Sequence, residues 1–161
     1  MRPALAAAFL AYAATPLVAQ SLTLKPNPTQ HVTVEGQVSG PLTPGATARL
    51  IVEVTPKPGK RVYATGATDF QPVALVVTPH AAITAGTPVY PPAELDANSG
   101  SPTPVPVYRR TFRIVQPIRV ARTAKAGQTL TLGAAVNYQA CDDRLCYPST
   151  SIPVVWSVTV Q

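Results

Sequence analysis

The chain holds two cysteines, Cys141 and Cys146, within Asn137-Tyr-Gln-Ala-Cys-Asp-Asp-Arg-Leu-Cys-Tyr-Pro148. Any sulfur chemistry is therefore confined to this one stretch. Thiol–disulfide exchange needs a thiolate, a reachable sulfur and a second cysteine that resolves the mixed disulfide. The pair supplies the last of these. In the loop itself, Asp142 and Asp143 disfavour a thiolate whereas Arg144 favours one, so strong activation is not written into the local sequence. The competing reading is a hairpin staple. Closing so short a loop is worth only about 2 kcal/mol by chain entropy, and a bond across a whole domain would constrain far more chain. Spacing alone leaves staple and redox pair both open.

Two alternating segments must position the pair. Residues 129–138 place Leu130, Leu132, Ala134, Val136 and Tyr138 on one face, and residues 152–160 do the same with Ile152, Val154, Trp156, Val158 and Val160. A short loop between two such strands brings the cysteines within bonding range. Period-two patterns recur upstream at 31–38 and 46–55, and Tyr108, Phe112 and Ile114 share a face opposite Arg109, Thr111 and Arg113. No stretch shows a sustained helical period with caps. Short strands separated by Pro/Gly turns predict an all-β chain folded as a β-sandwich. Trp156, the sole tryptophan, is a core candidate whose indole N–H would need an acceptor. Residues 88–106, rich in proline, read as a long irregular loop.

The N-terminus has the form of an export signal, with Arg2, the apolar run Ala4-Leu-Ala-Ala-Ala-Phe-Leu-Ala-Tyr12 and a small residue at Ala19. The expected organisation is a signal peptide over 1–19 and one domain over 20–161. The apolar run is too short to span the ~30 Å of bilayer hydrocarbon, and no integral membrane segment is expected after signal removal. A periplasmic or secreted location follows, where disulfides persist. Loss of Arg2 lowers the formal charge from +6 to +5. Arg109, Arg110, Arg113, Arg119, Arg122 and Lys125 cluster, and an exported chain does not meet nucleic acid. The cluster suits an acidic partner or an anionic envelope surface, or is simply a solvated strand face.

Other chemistries find little support. A soft-metal site wants several Cys or Met, but His31 and His80 lie far from the cysteines and Met1 leaves with the signal. Asp69, Glu94 and Asp96 near His80 come with no nucleophile motif. No cofactor is expected.

The segment Tyr138-Gln-Ala-Cys-Asp-Asp-Arg-Leu-Cys-Tyr-Pro148 resembles the cysteine motif of the N-terminal periplasmic domain of DsbD-type thiol:disulfide interchange proteins. Pro56-Lys-Pro-Gly-Lys-Arg-Val-Tyr63 and Val89-Tyr-Pro-Pro92 are weaker points of similarity. The resemblance implies an immunoglobulin-like β-sandwich and a redox pair of Cys141 and Cys146. It implies that Cys146 forms mixed disulfides, that Cys141 resolves them, and that Tyr138 and Tyr147 flank and shield the sulfurs. Implied partners are periplasmic thioredoxin-like oxidoreductases and a membrane electron donor. No Cys-x-x-Cys or spanning helix follows, so both are expected in trans. Some family members lay an aromatic-bearing loop over the cysteines, and the expected equivalent here, residues 95–105, contains no aromatic residue. The alternative function is a non-catalytic binding or scaffolding sandwich with an inert disulfide.

Overall fold

The computed structural model describes residues 27–28, 31–99 and 101–161. The expected signal segment 1–19 lies outside these residues. Among them the chain forms strands β1 (Asn27–Pro28), β2 (Val32–Ser39), β3 (Thr47–Pro56), β4 (Arg61–Tyr63), β5 (Ala74–Val77) and β6 (Ile83–Ala85). It continues with β7 (Glu94–Asp96), β8 (Val105–Tyr108), β9 (Phe112–Val120), β10 (Thr129–Tyr138), β11 (Ala140–Cys141) and β12 (Thr150–Thr159). No helix occurs among the described residues, so none there is long and apolar enough to cross a membrane.

The strands form three antiparallel sheets, ordered β1-β2-β3-β9-β6, β12-β10-β5 and β11-β4-β8-β7. The first two face each other as an immunoglobulin-like sandwich. The cause is visible in the alternation: every second residue of β3, β9, β10 and β12 is buried while its neighbours face outward. Leu50, Val52, Ile114, Leu132, Val136 and Trp156 meet in one apolar core. Trp156 is 1% exposed, as its place in the pattern predicts. Its Nε1 has no hydrogen-bond partner among the described residues, contrary to expectation. The indole instead packs beneath Gly36 of β2, where an added Cβ would lie 2.8 Å from Nε1.

Two segments depart from the sequence reading. Tyr108 and Phe112 do not belong to one strand: the chain leaves one sheet after Tyr108 and enters another at Phe112. Continuous alternation would have put Arg110 on the buried face, at the cost of an unpaired charge. The two rings still stack, 4.0 Å apart, across the break. Residues 88–106 are not one irregular loop, because they contain the edge strand β7 and a bridge from Val89 to Val115. An edge strand tolerates the neighbouring prolines because one side of its backbone needs no ladder partner.

Candidate functional site

β10 and β12 pair along their whole length, from Thr129↔Thr159 to Tyr138↔Thr150. The connection between them does not simply turn. It leaves this sheet as β11 and joins the third one, pairing Ala140 with Val62 and Cys141 with Arg61. A small hairpin then closes on itself. Tyr147 N–H donates to the Ala140 carbonyl at 2.9 Å, and Asp142 N–H to the Leu145 carbonyl at 3.0 Å. These bonds frame Cys141 and Cys146 as a non-hydrogen-bonded antiparallel pair, the position where Cα atoms approach most closely. Their Cα atoms are 4.0 Å apart and the sulfurs are bonded. The tip is shaped by the Asp142 side chain, which accepts from the N–H groups of Arg144 and Leu145 at 2.8 and 3.0 Å.

The third sheet has two buried faces. Val62, Tyr108 and Ala140 point into the main core. On the other face, directly paired residues share a side, which aligns Cys141 with Arg61, Tyr63 with Val107, and Asp96 with Val105. Tyr63, Val105, Val107 and Cys141 form a second, small core, roofed by Ala67 and Phe70 from the loop 64–73. The Phe70 ring stacks on Tyr63 with centroids 3.9 Å apart. That loop is tied down on either side of Phe70: Ser101 Oγ donates to Asp69 at 2.7 Å, and Gln71 N–H donates to the Gln139 side chain at 3.0 Å.

The disulfide lies asymmetrically in this setting. Cys141 is 0% exposed, whereas Cys146 is open to solvent. The Tyr63 hydroxyl is 3.6 Å from Cys146 Sγ. A disulfide sulfur carries no proton, so the phenol is the donor.

Charges at residues 60 and 61, where β4 begins, change the electrostatics read from the loop alone. Lys60 Nζ contacts Asp142 at 2.7 Å, and Arg61 contacts Asp143 at 3.2 Å. Both aspartates thus have a cation at hand. Hydrogen bonds from Lys60, then from Tyr147 and the turn N–H groups, hold the Asp142 carboxyl well below the usual carboxylate range. Lys60 is raised by the same contacts with Asp142 and Tyr147. A depressed carboxyl stabilises the fold above its unfolded pKa of about 3.9 and loses that contribution as pH falls through the folded value. A carbon-13 titration of Asp142 is therefore expected to show a midpoint below the unfolded value, and Lys60→Met to raise it. An ordinary midpoint in the unaltered protein would refute the pairing in solution.

Deeper in the small core, Arg61 Nε lies 3.2 Å from Asp96 Oδ2, and the same oxygen lies 2.6 Å from Arg109. Burial disfavours the charged Asp96, but hydrogen bonds from Arg109 and the Asn98 N–H, with the charges of Arg109 and Arg61, leave its carboxyl lowered. Burial also raises Tyr63. A hydrogen bond and the charge of Arg61 oppose that shift, and Asp96 adds to it.

The other residues singled out in sequence are dispersed. Tyr138 is 0% exposed within the main core, not in the small core around Cys141. Tyr147 stacks on His31 at 4.0 Å and donates to Asp142 at 2.7 Å. The aromatic groups gathered beside the pair are Tyr63 and Phe70, and Phe70 comes from loop 64–73 instead of 95–105. Tyr63 had one signal in sequence, its place at the end of the segment 56–63 that resembles the family's; Phe70 had none. Among the described residues no group of three or more His, Cys, Asp or Glu could hold a metal ion.

Fold and site together define an immunoglobulin-like sandwich bearing one cystine at a junction of sheets, with one cysteine buried and the other exposed. The family model described as thiol:disulfide interchange protein DsbD, N-terminal, matches residues 29–153, and the chain belongs to that family. Among solved structures, it is similar to the N-terminal periplasmic domain of ScsB from Proteus mirabilis, with a TM-score of 0.58 and 12% identity over 84% of this chain. The match spans about half, 51%, of that ScsB chain. The reduced DsbD N-terminal domain from Neisseria meningitidis is similar at TM-score 0.47 and 15% identity, covering 68% of this chain and 77% of that one. The GAE domain of GGA2p from Saccharomyces cerevisiae has a TM-score of 0.50 at 9% identity, covering 86% and 97%. At such identities the likeness is one of fold. No curated protein sequence is a detectable match to the chain.

Proposed function

We propose that this protein is an extracytoplasmic thiol–disulfide exchange module that passes electrons between redox partners through Cys141 and Cys146. The observation that carries the reading is the asymmetry of the pair: an exposed Cys146 bonded to a fully buried Cys141. A partner thiolate approaches only Cys146. Its attack forms a partner–Cys146 bond and breaks the internal disulfide, and Cys141 departs with the electron pair and takes up a proton. A second partner thiolate then attacks the partner sulfur, releasing Cys146 and completing a two-electron, two-proton reduction. Electron delivery runs the same steps in reverse, with Cys146 attacking the acceptor's disulfide and Cys141 resolving it.

The partners of this reading are thioredoxin-like oxidoreductases and a membrane electron donor, both in trans. The organisation is that of an exported chain, with 1–19 removed and 20–161 acting as one domain. Family membership and the described periplasmic location of the ScsB domain support it. The test is the reduction potential of the pair, by equilibration in thiol buffers with alkylation trapping. A value above about −300 mV is expected, since structural disulfides typically lie below it. A bond that resists reduction until the fold melts would make the pair a staple and the protein a scaffold.

A further inference from the structure

Arg61 has no role in the exchange steps above, yet it is one of the most enclosed charges among the described residues. Its side chain is 8% exposed, and its buried partner Asp96 is 3% exposed. Burying two charges is expensive, and apolar residues of similar volume often do as well for stability. What distinguishes this arginine is its neighbour. It is paired with Cys141 across the β4–β11 ladder, and it shares a face of β4 with Tyr63, on whose phenol its charge acts and whose hydroxyl reaches Cys146 Sγ at 3.6 Å.

We infer that Arg61, clamped against Asp96 inside the small core, is a positioning residue for the exchange reaction: it aims and polarises the Tyr63 hydroxyl toward Cys146, holding that sulfur ready as the thiolate of the reduced pair. This rests on the exchange reading and names a determinant of its reacting sulfur. The physical basis is direct. An O–H donor to an anion makes a stronger bond than one to a neutral acceptor, and a cation beside the phenol strengthens the donor. The thiolate is the nucleophile, so favouring it sets the rate at neutral pH. Burial keeps the phenol protonated and able to donate. Other charges nearby are Arg109 just after β8, which shares Asp96, Asp143 and Arg144 on the hairpin, and the Lys60–Asp142 pair. Asp69 on the overlying loop is bonded to Ser101. Of these, Arg61 is the cation whose charge acts on the phenol.

The experiment uses the full chain carrying Cys141→Ser, so that Cys146 is the one thiol, and follows its alkylation by iodoacetamide against pH. Tyr63→Phe keeps the ring on Phe70 and removes only the hydroxyl. It is expected to raise the midpoint and slow alkylation at pH 7 about tenfold, the effect of one pH unit. Arg61→Gln should do the same, and should add nothing once Tyr63 is Phe. Asp96→Asn removes the counter-charge and should move the midpoint the opposite way. A midpoint unmoved by Tyr63→Phe or Arg61→Gln overturns the inference, as does an Arg61→Gln effect that persists without the hydroxyl. Where Arg61→Gln does not fold, Asp96→Asn decides alone: a midpoint that stays or rises overturns it. No partner enters this measurement, so its failure is distinct from a failure of the exchange reading, which the reduction potential reports.

Discussion

Cys146→Ser is expected to abolish covalent exchange with any partner, whereas Cys141→Ser should accumulate a stable mixed disulfide. The two effects differ in kind because the two sulfurs differ in access. With Cys141 absent, the Cys146 thiolate still attacks an oxidised thioredoxin-like protein, and the partner's second sulfur leaves as a thiolate. Nothing on this chain then resolves the bond, and the one route back, re-attack by the partner's own freed thiolate, is closed by alkylating that thiol with iodoacetamide, so the trapped adduct persists until an external thiol arrives. With Cys146 absent, the remaining thiol lies at 0% exposure between β4 and the hairpin, out of a partner's reach. Non-reducing gels and intact mass read both results: an adduct in high yield for Cys141→Ser, and none for Cys146→Ser. An adduct formed through Cys141 would reverse the assignment of roles.

Trp156→Ala is expected to destabilise the sandwich by about 3–5 kcal/mol, the range for removing a buried large aromatic side chain. The side chain lies between β12 and β2, directly under Gly36, and the space above it is set by the absence of a Cβ there. A truncated residue leaves a void that β2 cannot fill without breaking its full register with β3. Urea denaturation should show a lower midpoint at an unchanged slope. A loss under about 1 kcal/mol would mean that the facing strands close over the gap. The small core around Cys141 contains no part of this cluster, so the folded fraction of the variant should keep the exchange behaviour of the parent.

The main sandwich was legible because each long strand buries one face and wets the other. That condition writes itself into sequence as strict alternation. It failed at Arg109, Arg110 and Thr111, where the local pattern continued but the sheet did not. It also failed at 88–106, where prolines mark an edge instead of an absence of strand. The cystine was legible from two cysteines in one short stretch. Its surroundings were not, because they come from chain segments some 80 positions away: Lys60 and Arg61 meet Asp142 and Asp143 across separations of 82 residues. No loop-local count of charges can include them. Tyr138 illustrates the converse. It sits three residues before Cys141, yet β10 ends with its ring in the main core, and the change of sheet after it sends the cysteines elsewhere.

The shortness of the cystine hairpin has a further consequence. A closed cycle links folding with oxidation: whatever the bond adds to the fold, the fold returns in favour of the bond. A five-residue separation adds only about 2 kcal/mol to folding by chain entropy. Chain entropy therefore links the two oxidation states to the folding of the sandwich by about that amount, far less than a bond closing a loop of the whole domain would.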